Sequence, residues 1–180
     1  MRAWTVRDRI SRGQRVLHVA PEQTVILWLL SLSSEYLNID LYGSAQRRMD
    51  LTNLELADGS KTLVWCSHVL QYISDERRAL SEIYRVLEPG GVLVLQVPVE
   101  GGLTYERPNT RSDYDSSTKF LYEDCLRYYG VDLKKRIEQI GFQCDILTSS
   151  LLNSEERVRN AVDARLYREV FSCRRPKQMK

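Results

Sequence analysis

The stretch KTLVWCSHVLQYISDERRALSEIYRVLEPGGVLVLQVPV (Lys61–Val99) decides the fold. Its opening, Lys61–Ser67, is apolar almost without interruption, the pattern of a strand covered on both faces. Asp75–Leu87 then repeats Ala79, Leu80, Ile83, Val86 and Leu87 at helical spacing, which predicts an amphipathic helix. Ser74 is the expected N-cap, and Arg77 rules out a capping box behind it. Glu88-Pro89-Gly90-Gly91 stops the helix, and Val92–Val97 is a second buried strand. A strand, a helix and a strand in this order make a parallel pair with a helical crossover.

The same alternation extends in both directions. Arg15–Ala20 (RVLHVA) reads as a strand between Gly13 and Pro21, and Glu22–Leu32 as a helix with Pro21 near its first turn. Glu35–Leu41 (EYLNIDL) reads as another strand. Residues 98–118 are rich in Pro, Gly, Thr, Ser, Asn and Asp and read as a long loop of the functional or mobile kind. Lys119–Tyr128 reads as a short helix, and Val131–Ile140 as a better one ended by Gly141. Phe142–Thr148 and Leu166–Cys173 read as strands on either side of a helical stretch, Ser154–Val162. The prediction is an α/β, doubly wound, mostly parallel sheet with helices on both faces. It forms one domain over residues 1–180, with a basic segment 1–14 and a basic tail 174–180. Ligands of such sheets bind beyond the carboxyl ends of the strands, which points to the loops after Ala20, Asp40, Ser67 and Val97.

A length of 180 residues with 43% hydrophobic and 28% charged residues fits one soluble core and excludes disordered, collagen-like and coiled-coil classes. The net charge of +2 hides a split, since residues 1–15 and 174–180 each carry +4 and the body carries −6. The basic ends read as solvated termini, and nucleic acid is an unlikely partner because no folded basic face is visible. Cys66, Cys125, Cys144 and Cys173 contain no CxxC pair, so zinc-ribbon and thioredoxin-like readings have no support. Cys66 and Cys173 read as packed residues of strands. No secretory leader or membrane-spanning run is visible, which makes the cytoplasm the expected location and gives no membrane span.

Asp40 ends the second predicted strand, where a carboxylate either accepts ribose hydroxyls or is simply solvated. Asp50 either accepts the exocyclic amine of an adenine, with a backbone N–H donating to the ring, or is a turn residue. After the first strand the chain reads His18-Val19-Ala20-Pro21-Glu22-Gln23, without the glycines that bring backbone close to a pyrophosphate. A dinucleotide is therefore disfavoured, a nicotinamide-dependent enzyme with it, and a nucleoside without phosphate remains.

Four segments together resemble a known family: RVLHVAPE (Arg15–Glu22), YLNIDLY (Tyr36–Tyr42), Arg48–Val99, and YYGVDLKKRIEQIGF (Tyr128–Phe142). They are similar to the class I S-adenosylmethionine-dependent methyltransferases of the type 11 group, in the branch whose first motif is HVAPE-like. The resemblance implies a Rossmann-like sheet of about seven strands with the last antiparallel. The cofactor would be S-adenosylmethionine and the product S-adenosylhomocysteine. It implies that His18, Ala20 and Glu22 line the methionine and ribose side, that Asp40 holds the ribose, and that Asp50 and Leu51 hold the adenine. Ser67 and His68 would face the sulfonium, with His68 the candidate catalytic base. The chain departs from the branch at Gln71 and Tyr72, where an acid and a histidine are usual, at Cys125 for a histidine, and at Arg107 for an acid.

The implied function is methyl transfer to an oxygen or nitrogen of a small-molecule acceptor. The alternative is a catalytically impaired relative acting as a binding or regulatory partner, as a homodimer or with another subunit. Tyr105, Arg107 and Arg111 are the candidate substrate contacts, and the two arginines suit an anionic acceptor. Arg2, Arg7 and Arg9 are candidates to close over the pocket. No metal is implied.

Overall fold

The computed structural model describes residues 10–99, 101–106, 125–148 and 169–177. Seven strands form the main sheet: β1 (Gln14–Val19), β2 (Ser33–Asp40), β3 (Arg47–Arg48), β4 (Lys61–Ser67), β5 (Leu87–Gln96), β8 (Gln143–Thr148) and β9 (Glu169–Arg174). Their order is β3-β2-β1-β4-β5-β9-β8. The first five are mutually parallel, and β9 runs antiparallel to both β5 and β8. This is the doubly wound sheet expected from the sequence. Because β1 lies between β2 and β4, the strand order reverses there, and such a reversal opens a crevice at the carboxyl ends.

Helix α1 (Gln23–Leu32) covers one face, where Val25 and Leu29 pack on Val16, Leu63, Trp65 and Val94. Helices α2 (Glu76–Val86) and α3 (Leu133–Glu138) cover the other, packing Ala79, Leu80, Ile83, Leu133 and Ile137 on Leu17, Val64, Cys66, Leu93 and Leu95. The unbroken apolar run of Lys61–Ser67 is thereby explained: successive residues face different helical layers.

The structure corrects several expectations. Asp75, not Ser74, caps α2, because its carboxylate accepts the Arg78 N–H at 2.9 Å. A carboxylate at that position also faces the positive end of the helix dipole. Strand β5 begins at Leu87 and takes in the Pro-Gly-Gly stop, with a register irregularity between Lys61 and Leu63 absorbing it. The predicted helix over residues 119–128 ends instead in β7 (Arg127–Tyr128), which pairs antiparallel with β6 (Tyr105–Glu106) out of the predicted loop. The cause is Arg127, whose buried guanidinium donates to the Leu70, Ile73 and Ser74 carbonyls and to Glu106. Residues 107–118, 119–124 and the helical stretch Ser154–Val162 lie outside the described residues, as do Arg2, Arg7, Arg9, Arg107 and Arg111.

Cys173 does not merely pack. It is disulfide-bonded to Cys144, its direct partner across β8 and β9. Cys66 is free and buried, and burial pushes its thiol up to about 12, so it is no nucleophile at neutral pH. The tail is not simply solvated either. Arg175 donates to the carbonyls of Tyr84, Arg85 and Leu87 and lies 4.7 Å over the Tyr84 ring, closing the C-terminus of α2. Among the described residues no helix is long and apolar enough to cross a membrane.

Candidate functional site

A cavity of about 730 Å³ opens at the carboxyl ends of β1, β2 and β4, within the range of small-ligand sites. Val19 and Ala20 form its floor, Asp40–Tyr42 and Met49–Thr52 one side, and His68, Val69 and Tyr72–Ser74 the other. Five sequence-predicted residues meet there: Ala20, Asp40, Asp50, Leu51 and His68.

The backbone at this edge is unusual. Ala20 and His68, which follow the adjacent strands β1 and β4, are the two described non-glycine residues in the left-handed region, at φ 47° and 55°. Tertiary bonds hold both: the Ala20 N–H donates to Ile39 O at 2.8 Å, and the His68 N–H to Gln96 O at 2.8 Å. Such conformations cost free energy and collect at functional sites. They turn the chain sharply out of each strand and bring both residues to the cavity. Burial holds the His68 imidazole below its ordinary pKa, so it is neutral at neutral pH.

Asp40 Oδ1 accepts the backbone N–H groups of Tyr42 and Gly43, each at 2.9 Å. That fixes the carboxylate and commits only one of its two oxygens. Gly43 leaves room for this carboxylate, since a Cβ there would sit 2.6 Å from Asp40 Oδ2 and push the side chain aside. Asp50 Oδ1 similarly accepts the N–H and hydroxyl of Thr52, both at 2.8 Å. The carboxylates of both residues are thus pre-set by local turns.

Three other predicted residues lie off this cavity, on the α1 side of the sheet. His18 is fully buried. Its Nε2 donates to Glu22 Oε2 at 3.0 Å, because a carboxylate can only accept; in the neutral ring Nδ1 then accepts the Tyr36 hydroxyl at 2.9 Å. Glu22 also accepts Trp65 Nε1 at 3.3 Å. Burial works against its charge, but the bond from His18 prevails and its carboxyl stays below the usual range, with the nearby Ser67 hydroxyl adding to this. Tyr105 stands apart on β6, half exposed and paired with Tyr128.

Sequence reasoning missed the positioning residues. Glu82 accepts the Leu54 N–H at 2.8 Å, and Arg85 donates to the Leu54 and Leu56 carbonyls, both at 2.8 Å. Arg78 holds the Thr52 carbonyl at 3.1 Å. Together they fasten the segment after Asp50 to α2. Arg127 does the same for the Leu70–Ser74 wall from the other side. The polar face of α2 looks like ordinary solvated surface in sequence, and nothing local marks Arg127 as buried.

Residues 12–95 match a family model described as a methyltransferase domain. An uncharacterized 37.1 kDa protein of a Streptomyces fradiae transposon is 42% identical over 60 residues, 33% of this chain and 17% of that protein, so the chain spans well under two thirds of that relative. An S-adenosylmethionine-dependent methyltransferase from Mesorhizobium loti superposes with a TM-score of 0.63 at 17% identity, over 91% of this chain and 92% of that one. A Burkholderia thailandensis 1,6-didemethyltoxoflavin-N1-methyltransferase, solved with S-adenosylhomocysteine, superposes with a TM-score of 0.64 at 12% identity, over 92% and 72%. At these identities the superpositions establish the fold. The family match adds that residues 12–95 are similar to a methyltransferase domain.

Proposed function

We propose that the protein transfers a methyl group from S-adenosylmethionine to an oxygen or nitrogen of a small-molecule acceptor. The observation that carries this reading is the meeting of Ala20, Asp40, Asp50, Leu51 and His68 around one cavity at the strand-order reversal. The cavity fits the cofactor in size and in character, with a pre-set carboxylate at the end of β2 and apolar walls from Val19, Met49, Leu51 and Ile73. When bound, the cofactor supplies an electrophilic methyl on its sulfonium, and the protein need not provide a covalent nucleophile.

The protein's own task is binding and orientation. Asp40 Oδ2 accepts the ribose hydroxyls, while Oδ1 stays on its backbone donors. Asp50 and the Leu51 backbone hold the adenine edge. His68, kept neutral by burial, takes the proton of the acceptor. Holding the acceptor atom about 3 Å from the methyl carbon contributes the remainder through proximity. Glu22, His18 and Ser67 are assigned to the methionine side, and the acceptor contacts proposed from sequence are Tyr105, which stands apart from the cavity, and Arg107 and Arg111, which lie outside the described residues.

Calorimetry with S-adenosylhomocysteine tests the reading. Micromolar binding is expected in the wild type, with at least a tenfold loss in Asp40→Ala. No heat at saturating concentration sinks it.

A second reading is a catalytically impaired binding or regulatory partner, working as a homodimer or with another subunit. It is favoured by Gln71 and Cys125, which are buried where the resemblance implies an acid and a histidine. Turnover of any defined acceptor by the isolated chain removes it. We place the protein in the cytoplasm as one domain with no nucleic-acid partner. Disulfides are uncommon in that compartment, so thiol trapping of Cys144 and Cys173 in intact cells checks the location.

A further inference from the structure

The two basic ends of the sequence, each carrying +4, are brought to one pole of the sheet. Residues 11–13 lead into β1 at its amino end, tied there by the Gly13 N–H on Leu32 O at 2.7 Å. Strand β9 runs antiparallel to β5, so residues 174–177 leave the sheet at the same end. There the Gly90 N–H donates to Arg175 O, and the Arg175 N–H to Gly91 O. Strands β1 and β9 are three places apart in the sheet, which sets the two basic segments roughly 14 Å from each other. The acids nearest them are already paired: Glu88 with Arg15, Glu35 with Lys61 and Asp58 with Arg85. Arg12, Arg174 and Lys177 are exposed, and none of them forms an ion pair among the described residues.

Apolar surface lies beside this charge. Helix α1 ends at the same pole, because it runs back from the carboxyl end of β1 to the amino end of β2. Its ten residues, Gln23–Leu32, include no charged side chain, whereas a surface helix ordinarily turns charges outward. Val25 and Leu29 face the sheet, which leaves Leu27 80% and Leu30 44% exposed. Val170 packs in the same cluster as Val25 and Leu29, so strand alternation puts Arg174 on the α1 side as well. Leucines and basic side chains thus share one corner of the molecule.

Exposed leucines rimmed by uncompensated arginine and lysine match the boundary of an anionic bilayer, where acyl chains meet phosphate headgroups. A nucleic-acid backbone would use the charges and leave the leucines in water. We propose that this corner docks the protein, as a peripheral protein, on a membrane surface of anionic lipid. Arg2, Arg7, Arg9 and Lys180 lie outside the described residues and belong to the same two basic ends. The large cavity opens at the opposite, carboxyl pole, so it stays on the aqueous side when the corner is docked.

Co-sedimentation of the full chain with vesicles tests it, comparing phosphatidylcholine alone with phosphatidylcholine carrying about one third phosphatidylglycerol. The wild type is expected to bind the anionic vesicles at least tenfold more tightly, and about 0.5 M salt should remove most of the difference. Each basic side chain at such a surface contributes roughly fivefold, so Arg12→Glu combined with Lys177→Glu should weaken binding at least tenfold. Leu27→Gln should weaken it at least threefold, with circular dichroism and Tm unchanged in both variants. Equal affinity for the two kinds of vesicle overturns the proposal, as do variants that bind like the wild type. Tighter binding to a single-stranded RNA than to the anionic vesicles gives the surface to nucleic acid and overturns it. A vesicle-free dimer that Leu27→Gln dissociates gives the leucines to a second copy and overturns it as well.

Discussion

At the residue scale, Ala20 occupies a position where glycine is the natural choice. An L-residue in the left-handed region costs about 1–2 kcal/mol, while glycine adds unfolded-state entropy of about 0.4–1 kcal/mol. Ala20→Gly is therefore expected to be neutral or to stabilise by up to about 1 kcal/mol. Ala20→Val, β-branched at φ 47°, should destabilise by about 2 kcal/mol or more. Urea denaturation of the two variants reads this directly, and a large loss in Ala20→Gly contradicts the strain argument. Glu82 gives a pH prediction. Hydrogen bonds from Arg85 hold its carboxyl below the usual 4.5, with the Leu54 N–H adding to them. A depressed carboxylate contributes stability in full above its unfolded value and loses it as pH falls through the folded value. Stability should therefore fall below about pH 4.5, and Glu82→Gln should flatten that part of the profile while lowering stability at pH 7. Asp40 is legible in sequence as a candidate because it ends a predicted strand, whereas Asp50 and His68 are candidates through the family resemblance. The strain at Ala20 and His68 is not legible, because backbone dihedrals are fixed by bonds to Ile39 and Gln96 on neighbouring strands.

At the element scale, the small β6–β7 pair is the feature most dependent on one residue. A Cβ on Gly130 would lie 2.3 Å from Gly102 O and 2.4 Å from the Leu103 carbonyl carbon. Backbone cannot yield that much without separating the two segments. Gly130→Ala is expected to detach β6, lowering Tm by several degrees and increasing hydrogen exchange at Tyr105 and Glu106. An unchanged exchange pattern counts against the contact. The neighbouring network of Glu76, Glu106, Arg127 and Arg136 joins this pair to the Leu70–Ser74 wall of the cavity. The sequence predicts β1, β4 and α2 to within a residue or two because their apolar periodicity is strong. It misassigns residues 127–128 because a single buried arginine, satisfied by carbonyls about fifty residues away in sequence, outweighs local helix preference.

At the scale of the whole molecule, the antiparallel β9 is held between β5 and β8 and fastened by Cys144–Cys173, 29 residues apart in sequence. Chain-entropy reasoning assigns a cross-link of this span about 3–4 kcal/mol. Reduction followed by alkylation, or Cys173→Ser, should lower the denaturant midpoint by a corresponding amount. Equal stability with and without reductant is the contrary result. The doubly wound class, the parallel core and the end of the sheet where the cavity opens were all determined by sequence. They follow from apolar periodicity and chain chirality, which act locally. Only the tertiary structure decided which predicted residues share a cavity. Ala20, Asp40, Asp50, Leu51 and His68 meet at the carboxyl ends, while His18, Glu22 and Ser67 lie on the α1 side of the sheet. The physical reason is that alternation along a strand is local, whereas the left-handed turns that bring Ala20 and His68 to the cavity are held by Ile39 and Gln96 on neighbouring strands.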